Sequence, residues 1–551
     1  MNRFERSLGH LVPALVAGFA LAAAGASTAG PIDEAFYRSH ISRLASDEFE
    51  GRKPGTAAET LTLDYLEREF RKLGLKPGNG ASFLQEVPMV AITAAPDAAL
   101  RFTTGPTELD LKFRDDMVIW TKRVKPAEAF EASPLVFVGH GVTAPEYDWD
   151  DYAGIDMHGK TAVILINDPG FATNDPSLFR GRAMTYYGRW TYKFEEAARR
   201  GATAAIIIHQ PKPAAYGWDT VVNSWSTPQL DQATDEGNAG RVAIEGWITE
   251  AAARRLFEAN GTTLADAVKR ASTRGFRAEP LHSTASASVH NAISRTSSHN
   301  LAAVIPGSKR PNEYLVYMAH WDHLGKLADC SGDCILNGAV DNATGTSGLL
   351  SIAKAFMSAR AKPERTIVFL SVTLEESGLL GSAYYVDHPL FPLARTVAAF
   401  NMDAIYFGGP TRDVTVVNKG ASELESYLAD AAKAQGRVLQ GEPTPEKGTF
   451  FRSDHFNFAK RGVPALYIKS GVDDREHGTA WRQKYYDDFT AQKYHKVGDE
   501  YSPDADLRGG VEDLALLYAV GAKLAGEKSF PNWNTGSEFR AARDSSRANS
   551  K

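Results

Sequence analysis

Four short apolar runs constrain this chain more than any other feature: Glu313 to Ala319, Thr366 to Thr373, Val397 to Met402 and Val463 to Ile468. The first is bounded by a Gly/Pro/Asn-rich turn, and all four carry the β-branched and aromatic residues of buried strands. Three of them run directly into residues with chemistry to offer: His320, the pair Glu375-Glu376, and Asp403. A polar loop after the fourth supplies His495. Ligands of an open α/β sheet gather at the carboxyl ends of its strands, so the runs predict an α/β fold with one site where they end.

The spacing within each motif narrows the chemistry. In Ala319-His320-Trp321-Asp322-His323, His320 and Asp322 project to the same side of an extended backbone, which suits a carboxylate that orients a metal-bound imidazole. Adjacent side chains point apart, so one of Glu375 and Glu376 can ligate while the other faces a substrate. Two such carboxylates at a buried strand end are costly without a cation. Gly338-Ala339-Val340-Asp341-Asn342 leads into the small, hydroxylated Thr344-Gly345-Thr346-Ser347-Gly348, placing Asp341 at a helix N-terminus, where a metal ligand and a plain N-cap are both compatible with the local sequence. Together His320, Asp341, one of Glu375 and Glu376, Asp403 and His495 form a nitrogen and oxygen donor list for two divalent ions.

With these motifs in this order, the chain resembles the co-catalytic zinc aminopeptidase family. That family includes the secreted bacterial leucine-type aminopeptidases, with glutamate carboxypeptidases and the transferrin receptor as relatives. The likeness runs from Asp47-Glu48-Phe49-Glu50-Gly51-Arg52 through Tyr494-His495. It implies a mixed, mostly parallel sheet flanked by helices, with an inserted smaller β-rich protease-associated domain. It implies two Zn2+ per chain, with Mn2+ or Co2+ able to fit the same donors. Asp341 would bridge the ions, His320 and Asp403 would complete one site, and Glu376 and His495 the other. Glu375 would be the general base acting on a metal-activated bridging water, with Asp322 supporting His320. A cis peptide is implied at Asp341-Asn342. The implied partners are peptides with a free N-terminus, cleaved after their first residue.

Arg3 and Arg6, the apolar stretch Leu11 to Ala24 and the small residues Ala26 to Gly30 make a secretory signal peptide over 1–30, so a periplasmic or secreted enzyme with no membrane attachment after cleavage is expected. The catalytic domain is expected over 31–130 and 298–530, interrupted by an insert over 131–297, with a disordered polar tail over 531–551. Thr56 to Glu59 should cap a helix ending near Leu73 with Gly74 behind it. Gly139-His140-Gly141 to Tyr147 and Phe194 to Ala198 carry the resemblance to protease-associated domains. The only cysteines, Cys330 and Cys334, would close a small disulfide loop at the rim of the site. A net charge of -6 with no basic run argues against nucleic acid as the main partner.

Alternatives on the same scaffold are a carboxypeptidase or dipeptidase using Arg452, Lys469 or Arg475 to hold a carboxylate, and a single-metal glutaminyl cyclase. A catalytically inactive receptor-like protein would have lost ligands, and all of them are present here. Asp454 and His455 are expected to make structural hydrogen bonds, with support of the pocket wall as the alternative; Asp499 would hold the His495 loop; and Asp473, Asp474 and His477 are expected to be solvated loop residues, with approach to the substrate amine as the alternative. Phe450-Phe451 and Tyr485-Tyr486 would favour an apolar substrate residue if they line the pocket.

Overall fold

A computed structural model describes residues 30–226, 228–232, 234–327 and 330–548. The expected signal peptide lies outside the described residues, apart from Gly30.

The four apolar runs form the parallel heart of a mixed sheet. Arg310–His320 lies between Arg365–Val372 and Thr396–Asn401, and Ala465–Ser470 lies beyond the latter, all parallel. Antiparallel strands extend both edges: Glu279–Ile305 and then Leu84–Ala94 on one side, Asp413–Val416 on the other. Both faces are covered, which is why the sequence shows continuous apolar runs rather than alternation. Leu315, Tyr317 and Ala319 enter one core with Leu349, Leu514 and Leu517 from the helices Thr344–Ser358 and Arg508–Gly526. Val316 and Met318 enter the opposite core with Phe458, Tyr467 and Trp533. Tyr317 is fully buried, and its hydroxyl donates to the Leu517 carbonyl at 2.9 Å, so the ring packs without stranding its polar end. Ala57–Lys72 is a helix with Thr56 as its N-cap, although Glu59 reaches Gly55 N at 2.6 Å rather than closing the box on Thr56.

A second sheet carries its own core. Ala127–Phe137, Thr161–Leu165, Ala204–His209 and Ile244–Thr249 run parallel in that order. The partition differs from the expected 131–297. Ala99–Thr104 and Met117–Trp120 already belong to the second sheet, whereas Gln229–Gln232, well inside that range, pairs with Leu84–Ala94 of the first. No shift of composition accompanies these crossings, so the sequence offers no marker for them. The expected return near Ser298 falls inside one continuous 27-residue strand, Glu279–Ile305. Its first half pairs in the second sheet and its second half in the first.

The tail also departs from expectation: residues 531–548 are folded onto the parallel sheet. Trp533 is fully buried with Nε1 donating to the Gly462 carbonyl at 3.0 Å, and Arg543, in the helix Arg540–Ala548, donates to the Thr396 carbonyl at 2.9 Å. A few large anchors, Trp533 and Phe539 among them, outweigh a polar average. Cys330 and Cys334 form a disulfide. Among the described residues no helix is long and apolar enough to cross a membrane.

Candidate active site

The carboxyl ends of the parallel strands bring the predicted donors together. His320 is the last residue of its strand, Glu375 and Glu376 follow Val372, and Asp403 follows Asn401. Asp341 sits between the loop Gly338–Val340 and the helix from Thr344, and the peptide Asp341-Asn342 is cis. His495, with a positive φ of 57°, arrives from the loop after the helix Gly478–Gln492.

Asp341 occupies the centre. Its Oδ1 lies 3.3 Å from His320 Nε2 and its Oδ2 lies 3.3 Å from His495 Nε2. Asp403 Oδ1 is 3.6 Å from the same His320 nitrogen, and Glu376 Oε2 is 3.1 Å from the same His495 nitrogen. Ligand atoms fall within 4.8 Å of one another in three groups: His320 with Asp341 and Asp403, His323 with Asp341 and Glu376, and His320 with Glu375 and Glu376. The buried Nε2 atoms of His320 and His323 have no hydrogen-bond partner. Imidazole nitrogens and carboxylate oxygens without a thiolate, with two buried nitrogens left to coordinate, fit zinc or a similar divalent ion.

Opposing charges in the cluster shift one another's proton affinities. Burial works against the charged imidazoles, yet Glu375, Asp341 and Asp403 keep His320 well above 6.5, and Asp341 and Glu376 raise His495 to about 10. Burial also opposes the charge on Asp341, but His320 and His495 hold it well below 3.8. Glu375 is pushed well above the usual carboxylate range by burial and by Asp403 and Glu376, against the pull of His320. Four carboxylates and three imidazoles in one buried volume favour a cationic occupant.

Supporting bonds fix the loops. The backbone N–H groups of Val340 and Asp341 donate to Asp499 at 2.9 and 3.0 Å. Arg52 is buried, and its guanidinium donates to the carbonyls of Trp321, Leu44, Asn337 and Gly338 at 2.7–2.9 Å, tying the His320 and Asp341 segments together. Asn342 bonds to Met402 and Ala404 next to Asp403. Lys469 Nζ donates to the Asp403 carbonyl at 2.6 Å.

Several expectations need adjustment. Asp322 does not orient His320 through its carboxylate: His320 Nδ1 faces the Asp322 carbonyl oxygen at 3.1 Å, with the carboxylate 3.8 Å away. Its Oδ1 instead accepts the N–H of Glu375 at 3.2 Å, because the chain turns out of the extended conformation directly after the strand. His323, the last residue of the same motif, is buried with Nδ1 2.6 Å from Glu376 Oε1. The reading as strand residues gave it no place, whereas its company beside Asp322 was the available signal. Phe450 and Phe451 are buried in the core around Trp533 and Phe539. Tyr486 does approach the site, its ring 4.7 Å from Tyr406, a residue that senses the charges of Asp341 and Asp403. Asp473 pairs with Arg412 at 2.9 Å, and Asp474 caps its own loop through the N–H groups of Glu476 and His477. Asp454 is buried and accepts from Ser382 Oγ at 2.6 Å. Among the carboxylate-holding candidates, Arg475 is engaged by both oxygens of Glu512 at 3.0 Å.

Residues 300–519 match the model of Peptidase family M28. Aminopeptidase NAALADL1 of Mus musculus is 31% identical over 159 residues, 28% of this chain and 19% of its own length. Probable glutamate carboxypeptidase AMP1 of Arabidopsis thaliana is 23% identical over 463 residues, 78% of this chain and 60% of its own. A solved aminopeptidase from Aneurinibacillus sp. strain AM-1 aligns at 20% identity with a TM-score of 0.47, covering 91% of this chain and 96% of that one. The chain spans 19% to 30% of the length of the first four curated relatives it matches. Residues 300–519 thus form a domain that matches Peptidase family M28.

Proposed function

We propose that the protein is a secreted metallo-aminopeptidase that removes the N-terminal residue of peptides and holds two zinc ions between its strand ends. The observation that carries this is Asp341, whose two oxygens face two different imidazoles, each with its own second carboxylate: His320 with Asp403, His495 with Glu376. That is a donor arrangement for a pair of cations sharing one carboxylate. Two ions held there would acidify a water between them and polarise the scissile carbonyl.

Glu375 is the proposed general base. It stands beside His320 and Glu376 with its backbone fixed by Asp322, placed to take a proton from water and deliver it to the leaving amine. Asp322 positions that carboxylate rather than touching the substrate. A free N-terminal amine held at this cluster would restrict cleavage to the first residue. Arg52 and Asp499 keep the two halves of the donor set in register through backbone bonds. The second sheet is proposed to act as a protease-associated domain that walls the cleft.

The test is hydrolysis of leucine p-nitroanilide beside its N-acetylated form, with chelator and then zinc. Cleavage of the free-amine substrate alone, abolished by chelator and restored by zinc, is expected. Activity that survives chelation, or equal cleavage of both substrates, would overturn the proposal.

A further inference from the structure

Away from the catalytic strand ends, a cavity between the first sheet and the chain of the second contains polar groups that nothing answers. Asp413–Val416 runs antiparallel to Ala465–Ser470, pairing Val414 with Ser470 and Val416 with Ile468, so it leads away from the end of the sheet that carries the donors. Val438–Gly441 lies parallel beside it, which brings Asn418 and Glu442 out at the same end. There the backbone N–H of Asn418 donates to Glu442 Oε1 at 3.0 Å. The segment 180–184, on the chain between Thr161–Leu165 and Ala204–His209 of the second sheet, closes over them. Its Met184 N–H donates to the Pro445 carbonyl at 3.1 Å, and the Arg180 guanidinium donates to Asn418 Oδ1 and to the Lys419 carbonyl.

The space enclosed is about 220 Å³. That is below the about 300–1,000 Å³ of pockets for drug-sized molecules, so it suits a small ligand. Met184, Pro445, Phe450 and Phe451 give it an apolar wall, and Asn418 and Glu442 a polar one. Asn418 is 8% exposed, and its Nδ2 is buried without a hydrogen-bond partner. Since Arg180 already occupies Oδ1, that nitrogen is a donor left over. Glu442 Oε2 is likewise buried and unpartnered. Lys419, on the same rim, does not answer it, because its Nζ donates to the Leu439 carbonyl at 3.0 Å.

A buried donor and a buried carboxylate oxygen are costly until something supplies their counterparts. The carboxylate asks for a cationic donor, the amide for an acceptor and the wall for hydrocarbon. A free α-amino acid with an apolar side chain carries all three in one small molecule, whereas a peptide carries an ammonium only at its first residue. We propose that this cavity binds a free apolar α-amino acid, with its ammonium on Glu442 Oε2, its carboxylate at Asn418 Nδ2 and its side chain against Met184 and Phe451. The site stands on these residues; that its ligand is the residue released at the catalytic cluster rests on the aminopeptidase reading. Met184 comes from the chain of the second sheet and Asn418 and Glu442 from that of the first, so the ligand is held by both.

The probe is L-leucine, titrated by calorimetry into the zinc-loaded full chain. Glu442→Gln and Asn418→Asp should each weaken its binding about tenfold. Aspartate tolerates the positive φ of 60° at position 418, and the urea midpoint of each variant checks the fold. On the wild type, N-acetylleucine, which lacks the ammonium, and L-aspartate, which lacks the hydrocarbon, should each bind about tenfold more weakly than leucine. Absence of leucine binding would overturn the site, and so would equal binding by wild type and Glu442→Gln, the result that leucine lodged at the catalytic cluster gives. Equal affinities for leucine and N-acetylleucine, or for leucine and aspartate, would overturn the ligand class. Hydrolysis of leucine p-nitroanilide decides the aminopeptidase reading separately: its failure removes the link to a released product and leaves the binding result to decide the site.

Discussion

Asp499 receives the backbone N–H of Asp341 through Oδ2 at 3.0 Å, while its Oδ1 takes the preceding N–H of Val340 at 2.9 Å. One carboxylate thus orients the segment whose own carboxylate lies between two imidazoles. Asp499→Asn keeps the shape but turns an amide N–H₂ toward one of those N–H groups. Zinc affinity should fall about 10- to 100-fold, read by chelator competition, with little change in fold by circular dichroism. Unchanged affinity would show that the loop holds its shape unaided.

Glu375 and Asp341 separate proton transfer from metal holding. Glu375→Gln should keep the zinc stoichiometry of the wild type and lose about 100- to 10,000-fold in kcat. Asp341→Ala should lose zinc outright, measured by metal analysis after dialysis. Turnover retained in Glu375→Gln would remove Glu375 from the chemistry.

His323 meets Glu376 on the side away from His495, with 2.6 Å between Nδ1 and Oε1. His323→Ala should lower zinc affinity about tenfold or more and leave a folded protein. An unaltered affinity would reduce its role to packing.

Acid should reveal His40, which is buried beside Tyr65 with Nδ1 2.5 Å from the Tyr65 hydroxyl. Burial lowers it from 6.5 to about 4. Between those values the unfolded chain takes up a proton that the folded chain refuses, so this contribution to stability is present above pH 6.5 and is lost as pH falls toward 4. The loss is about 1.4 kcal/mol per pH unit. The stability gap between wild type and His40→Gln, from urea midpoints at pH 7 and 5, should therefore narrow in acid. A gap independent of pH would contradict the shift.

Trp533 should reveal how much the tail contributes. It is fully buried among Phe450 and Phe539, so Trp533→Ala should cost about 3–5 kcal/mol, read from denaturant unfolding. A cost below about 1 kcal/mol would mean that the tail packs without stabilising.

How far the sequence spoke depended on whether the information was local. His320, Glu375, Glu376 and Asp403 follow apolar strands directly, so both the strands and the side chains at their ends could be read. Arg52 could not: it serves carbonyls of Leu44, Trp321, Asn337 and Gly338, contacts that exist only once distant segments meet. Asp322 was misjudged because side-chain alternation holds only while the chain stays extended. The polar tail was misjudged because an average over residues hides single anchors such as Trp533 and Arg543. The crossings between sheets at Ala99–Thr104 and Gln229–Gln232 depend on pairing partners far away in the chain, which local pattern does not encode.

The strand Glu279–Ile305, at about 3.3 Å per residue, is a beam roughly 90 Å long with one end in each sheet. A domain hung on two loose linkers can swing; one that shares a hydrogen-bonded strand with its neighbour must bend it. The near end of that beam is laced to Arg365–Val372, the strand that delivers Glu375 and Glu376. The second sheet is thereby joined through one continuous strand to the strand that precedes the proposed base.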